Sequence, residues 1–129
     1  MTPGRVVDAS ALAAVIFGET ESAAVAGELA DARLFAPPLL QAELANVCLT
    51  KIRRTSERRE QLLRAWNRFR RMDIAFVDVD IDAALRLAET TGLTVYDATY
   101  LRLSRDLGAA LVTLDRSLAA AYRVSPATP

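Results

Sequence analysis

The stretches "RVVDA" at residues 5–9, "RLFA" at 33–36 and "AALVTLD" at 109–115 are short apolar runs, and the first and last are continuous rather than alternating. A strand with one face in water alternates polar and apolar side chains, whereas a strand covered on both faces does not. Between these runs lie segments of helical composition, so the chain reads as alternating strands and helices. That pattern predicts an α/β protein: a three-layer α/β/α sandwich with a short, mainly parallel central sheet.

The helical segments are legible one by one. "SALAAVIFG" and "TESAAVAGELADA" are separated by a Gly-Glu break, and "PPLLQAELANVCLTKIRR" opens on prolines suited to a helix N-terminus. The next helix starts near Thr55 or Ser56 and sets Leu62, Trp66 and Phe69 on one stripe, with Arg64, Arg68 and Arg71 opposite. "IAFVDVD" alternates toward a further strand. "IDAALRLAETTG" places Ile81, Ala84, Leu85 and Ala88 on a predicted buried stripe before a glycine stop, and "YDATYLRLSRDLG" repeats that ending. "RSLAAAYRV" forms a last short helix, and the tail "SPATP" is expected to fray. At 129 residues the chain reads as one domain, 1–129, with one core.

Absent residue types restrict the chemistry. There is no histidine, Lys51 is the sole lysine and Cys48 the sole cysteine. Histidine acid-base ribonucleases, Ser-His-Asp hydrolases, His or multi-Cys zinc sites and the P-loop all need residues this chain lacks. Carboxylates, hydroxyls and arginines remain. A lone cysteine excludes an internal disulfide, no apolar run is long enough for a membrane span, and no signal pattern precedes the first strand. A cytoplasmic protein is expected.

Charge is balanced overall but not along the chain. Residues 51–71, "KIRRTSERREQLLRAWNRFRR", carry nine bases against two acids. Such a segment is either a solvated surface or the footprint of a polyanion.

Four acids stand out. Asp8 and Asp115 each end a buried-looking strand, where ligands gather in open parallel sheets. Asp97 lies in the first turn of a helix. Singly, each of these three also suits a helix N-cap. Glu43 resists that explanation: it is interior to a helix, beside Leu39, Leu40, Asn46 and Val47, with no basic partner at helical spacing. Its alternative is an edge position reaching water. Asn46 and Thr113 read singly as local hydrogen-bonding residues, and Tyr96, Tyr100 and Trp66 as core rather than stacking platforms. If the four acids converge, carboxylates about 4 Å apart repel by roughly 4 kcal/mol per pair at an effective dielectric of 20. An all-oxygen cluster of that kind selects hard divalent ions, Mg²⁺ or Mn²⁺.

Three segments, "VVDASALAAVIFGE", "APPLLQAELANV" and "GLTVYDATYLRLSRDLGAALVTLDRSL", each carry one or more of these acids, in the order and spacing of a known family. The chain resembles PIN-domain ribonucleases, in particular the VapC-type toxins of toxin-antitoxin pairs, over nearly its whole length. The resemblance implies that Asp8, Glu43, Asp97 and Asp115 form a catalytic, metal-binding quartet, supported by Thr113, Ser10 and Asn46. It implies Mg²⁺- or Mn²⁺-dependent hydrolysis of RNA with water as nucleophile, a cognate antitoxin as partner, and a homodimer. Many relatives carry another acid two residues after the last one; here Arg116 and Ser117 follow Asp115, which bears on a second metal ion. Under this reading Arg53, Arg54, Arg58, Arg59, Arg64, Arg68 and Arg71 are expected to hold RNA phosphates beside the acidic site.

Other classes fit less well. A signalling receiver domain needs a lysine at a strand end near its aspartates, and Lys51 lies in the helix after Glu43. A haloacid-dehalogenase-like phosphatase begins D-x-D, where this chain has "DAS". The remaining competitor is a catalytically silent PIN-fold module that binds RNA or a protein without cutting.

Overall fold

The computed structural model describes residues 2–124; the expected fraying of "SPATP" lies outside the described residues. The apolar runs form four strands, β1 (Gly4–Val7), β2 (Arg33–Ala36), β3 (Ile74–Phe76) and β4 (Ala110–Val112). Their pairings are all parallel, in the order β3-β2-β1-β4. Val6 is central, registered with Phe35 on one side and Leu111 on the other, and both it and Val7 are fully buried. That two-sided burial is the reason these runs do not alternate.

Helices α1 (Ala9–Ile16) and α2 (Ser22–Leu29) link β1 to β2. Helix α3 (Leu39–Arg54), a 3-10 turn (Ser56–Arg58) and α4 (Arg59–Arg70) link β2 to β3. Helices α5 (Ile81–Thr91) and α6 (Val95–Leu107) then lead back across the sheet to β4, and α7 (Arg116–Val124) follows it. Parallel crossovers are right-handed, so the steps from β1 out to β3 keep α1 to α4 on one face, and the return to β4 puts α5 and α6 on the other. Three layers result. The strand order reverses between β1 and β4, and in such sheets the crevice outside the strands' carboxyl ends at the reversal is where ligands bind.

Local chemistry sets the element ends. The predicted glycine stops hold: Gly92 and Gly108 end α5 and α6 with φ of 77° and 60°, a left-handed region costly for other residues. Leu12, Leu40, Leu44, Leu101 and Leu118 pack with the sheet valines into one core. Leu12 is fully buried in α1. Leu12→Ala should lower unfolding free energy by about 2–5 kcal/mol, seen as an earlier urea midpoint at unchanged slope. Among the described residues no helix is long and apolar enough to cross a membrane.

Two expectations need correction. On α5, Ile81 and Leu85 are 59% and 57% exposed, and the buried side chains are Ala83, Ala84 and Ala88. α5 packs mainly on α6, with Ala84 and Ala88 meeting Ala98. Small residues permit that close approach and turn the large ones outward. Tyr96, expected in the core, is 63% exposed; Tyr100 is buried and Trp66 half-buried against the core, as expected.

Candidate active site

Asp8 leaves β1 at the reversal and caps α1. Its Oδ1 accepts the Ala11 amide at 3.0 Å and the Ser10 hydroxyl at 2.7 Å, while Oδ2 accepts the Thr113 hydroxyl at 2.5 Å. Capping and a further role are therefore compatible, because each task uses a different oxygen. Thr113 Oγ1 also accepts the Asp115 amide at 3.0 Å, and Ser10 Oγ accepts the Leu114 amide at 2.9 Å. These bonds lace the loop after β1 to the loop after β4. Asp115 in turn caps α7, its Oδ1 accepting the Leu118 amide at 2.8 Å.

Asp97 is not the cap of its helix. Thr94 is, its hydroxyl accepting the Asp97 amide at 3.1 Å, and the Asp97 carboxylate stands in the first turn of α6. Glu43 stands half-buried on α3, and its Oε1 accepts the Tyr100 hydroxyl at 2.5 Å. A buried tyrosine needs a partner for its hydroxyl, and here that partner is the helix-interior carboxylate lacking a basic neighbour. Tyr100 is the residue sequence reading missed. Its signal was present: it lies three residues after Asp97, hence on the same helix face.

The four acids feel one another. Burial raises the pKa of Asp8, a shift opposed by its three hydrogen bonds and increased by the charge of Asp115. Burial likewise raises Glu43, with further contributions from Asp97 and Asp8, and raises Asp97, with contributions from Asp115 and Asp8. The Tyr100 phenol is held far above its ordinary range, first by burial and then by its bond to Glu43. It stays protonated and donates. Among the described residues, no three acidic, histidine or cysteine side chains close into a ready-made metal-binding group.

The supporting residues divide. Ser10 and Thr113 bond Asp8 directly; Asn46 is exposed on α3 and no hydrogen bond joins it to the acids. The basic helix forms a separate region. Arg68 Nη2 donates to the carbonyl of Ile16 at 3.1 Å, at the end of α1 remote from Asp8. At 1.5 Å rise per residue, the eight residues of α1 separate those ends by about 12 Å. Arg64, Asn67, Arg68, Arg70 and Arg71 line a cavity of about 450 Å³. None of these four arginines forms a salt bridge among the described residues, whereas Arg59 pairs with Glu60 and Arg58 donates to Gln61. Arg53 and Arg54 are exposed at the end of α3.

The PIN domain family model matches residues 5–124. A ribonuclease, VapC3 of Pyrobaculum aerophilum, is 34% identical over 119 residues, covering 88% of this chain and 91% of that one. Among solved structures, PAE2754 from Pyrobaculum aerophilum superposes with a TM-score of 0.66 at 25% identity, covering 94% of this chain and 87% of that one. The Mycobacterium tuberculosis toxin VapC20, described as cleaving the sarcin-ricin loop, superposes with a TM-score of 0.64 at 16% identity, covering 91% and 94%.

Proposed function

The chain belongs to the PIN-domain family, and from that premise we infer that it is an endoribonuclease of the VapC toxin type. The observation carrying this reading is the meeting of acids from four separate elements at the carboxyl edge of the sheet, with Asp8 tied across the strand reversal to Thr113. A fold needs no such accumulation of like charge; burial first, and the neighbouring acids after it, raise the pKa of three of its members.

The donor set fits a hard divalent ion. Every polar side-chain group at the site is an oxygen, which suits Mg²⁺ or Mn²⁺ and not softer metals. Such an ion takes carboxylate oxygens from the protein, with water and substrate phosphate completing its shell. Asp8, Asp97, Asp115 and Glu43 would hold it. When bound, it supplies Lewis acidity toward water and neutralises charge on the phosphodiester. The chain's own groups do the rest. Ser10 and Thr113 fix the Asp8 carboxylate from both sides, the amide of Leu118 fixes Asp115, and Tyr100 fixes Glu43. A phosphodiester approaching this edge meets oxygens that are already oriented, so little reorganisation is left for the reaction itself.

The substrate is RNA and the physiological partner a cognate antitoxin, supported by the VapC relative. A homodimer is part of the same reading. Purified protein free of antitoxin should cut total RNA into discrete fragments with Mg²⁺ or Mn²⁺ and none with EDTA. A folded, metal-binding protein that cuts no RNA would move the reading to the silent binding module.

Arg64 and Arg70 of α4, with Arg71 just after it, form no salt bridge among the described residues and would hold RNA phosphate about a helix length from the acids, rather than beside them. Exchanging Arg64, Arg70 and Arg71 for Gln should reduce the slope of log affinity against log salt by about two, at ~0.7 per single-strand phosphate contact. An unchanged slope would make this face a solvated surface.

A further inference from the structure

Tyr96 is 63% exposed, and it directly precedes Asp97 in the first turn of α6. Residues four apart lie one above the other on a helix face, and side chains tilt toward the N-terminus. Tyr100 faces the acids, since its hydroxyl reaches Glu43. Tyr96 therefore occupies the same face one turn nearer the start of α6. That helix leads into parallel strand β4, so its start lies at the carboxyl edge of the sheet, the edge holding Asp8 and Asp115. Large and apolar except at its tip, the Tyr96 ring thus stands at the mouth of the acidic site. Leu114 is a second exposed apolar side chain at this rim, 40% exposed, with its amide bonded to the Ser10 hydroxyl that holds Asp8.

We propose that Tyr96 is a stacking platform for an unpaired nucleobase of the RNA, flanking the phosphodiester to be cut. This rests on the ribonuclease reading of the acids. Any phosphodiester that reaches Asp97 brings its own bases past the preceding residue, so the substrate itself is what meets the ring during cleavage. A nucleobase offers an uncharged face that can lie on tyrosine without entering the field of the carboxylates, and such stacking tolerates any base. A base inside a duplex has both faces covered. The platform therefore demands a loop or single strand at the cut site, and phosphate contacts on α4 carry no such demand.

The test measures a short, unstructured RNA oligonucleotide containing 2-aminopurine, titrated in EDTA with wild type, Tyr96→Ala, Tyr96→Phe and Tyr96→Trp. Michaelis parameters for cleavage with Mg²⁺ accompany it. Tyr96→Ala should weaken single-strand binding about 5- to 150-fold, the cost of losing one base stack, and raise KM with little change in kcat. Tyr96→Phe and Tyr96→Trp should retain most of the affinity and the quenching, and duplex RNA should bind all four proteins alike. Wild-type affinity in Tyr96→Ala, while the wild type still cuts total RNA, would overturn the platform and leave the ribonuclease reading standing. A loss in Tyr96→Phe equal to that in Tyr96→Ala would assign the effect to the hydroxyl instead. A changed oligomeric state in Tyr96→Ala with unchanged RNA affinity would make the ring a protein contact. Wild-type protein that neither binds nor cuts any RNA would overturn both readings.

Discussion

Asp97→Asn should lose RNA cleavage by at least about a hundredfold, the scale on which removal of one preorganised electrostatic group acts, while the metal-free protein melts at a higher temperature than wild type. The two effects have one cause. Burial and the charges of Asp115 and Asp8 raise the Asp97 pKa, so its ionised form is less favourable in the folded chain than in the unfolded one. A carboxylate in the first turn of a helix is also favoured by the helix dipole, by roughly 0.3–1 kcal/mol when exposed. Here desolvation and two like charges outweigh that gain. Asparagine keeps the size and removes the charge.

The sign extends to pH. Asp8, Glu43 and Asp97 all have raised pKa values in the fold, so the stability linked to their protonation is fully present below the ordinary carboxylate range. It is lost as pH climbs through the raised values. Metal-free protein should gain in the contribution of these groups on mild acidification, and Asp97→Asn should flatten that response. Divalent ion should raise the wild-type melting temperature at neutral pH, less so in mild acid, and less in Asp97→Asn at either. Calorimetry with and without Mg²⁺ at the two pH values reads all of this. An Asp97→Asn protein that melts lower without metal, or that still cuts, would remove Asp97 from the site.

Much of this was legible because the same residues answer to both local and global rules. The two-sided burial of Val6 and Val7 gave β1 its continuous apolar run, and Gly92 and Gly108 marked helix ends through the backbone region they occupy. Asp8 and Asp115 could be placed at strand ends by counting along apolar runs. What stayed hidden depends on which elements meet. Ile81 and Leu85 share a helical stripe with Ala84 and Ala88, yet periodicity cannot tell that the alanines of this stripe are the ones that meet Ala98 of the neighbouring helix. Tyr96 and Tyr100 are alike by composition and lie on one helix face, and only the end of α6 at the sheet edge separates an exposed ring from a buried one. The basic segment was visible as charge. Its remoteness from the acids follows from the bond between Arg68 and Ile16, fifty-two residues apart.

Tyr100→Phe is expected to cut more slowly by roughly 10- to 150-fold with its fold intact. The phenol is buried among the core side chains and touches Glu43 through one hydrogen bond of 2.5 Å. Hydrogen bonds to charged groups contribute about 1.5–3 kcal/mol, and each 1.36 kcal/mol is tenfold in rate if the whole contribution orients the carboxylate. Phenylalanine fills the same volume, so packing is preserved and no cavity opens. Glu43, half-buried, is then left without its donor and free to rotate. A merely structural tyrosine would show the reverse pattern, a lower melting temperature with normal kcat. The position of the loss is also informative: if Tyr100 orients Glu43 for the reaction, kcat falls and KM for RNA holds, and Glu43→Gln in the Tyr100→Phe background adds little further loss. Independent, multiplying losses in the double variant would show that Glu43 and Tyr100 act separately and would dissolve the pair as a unit.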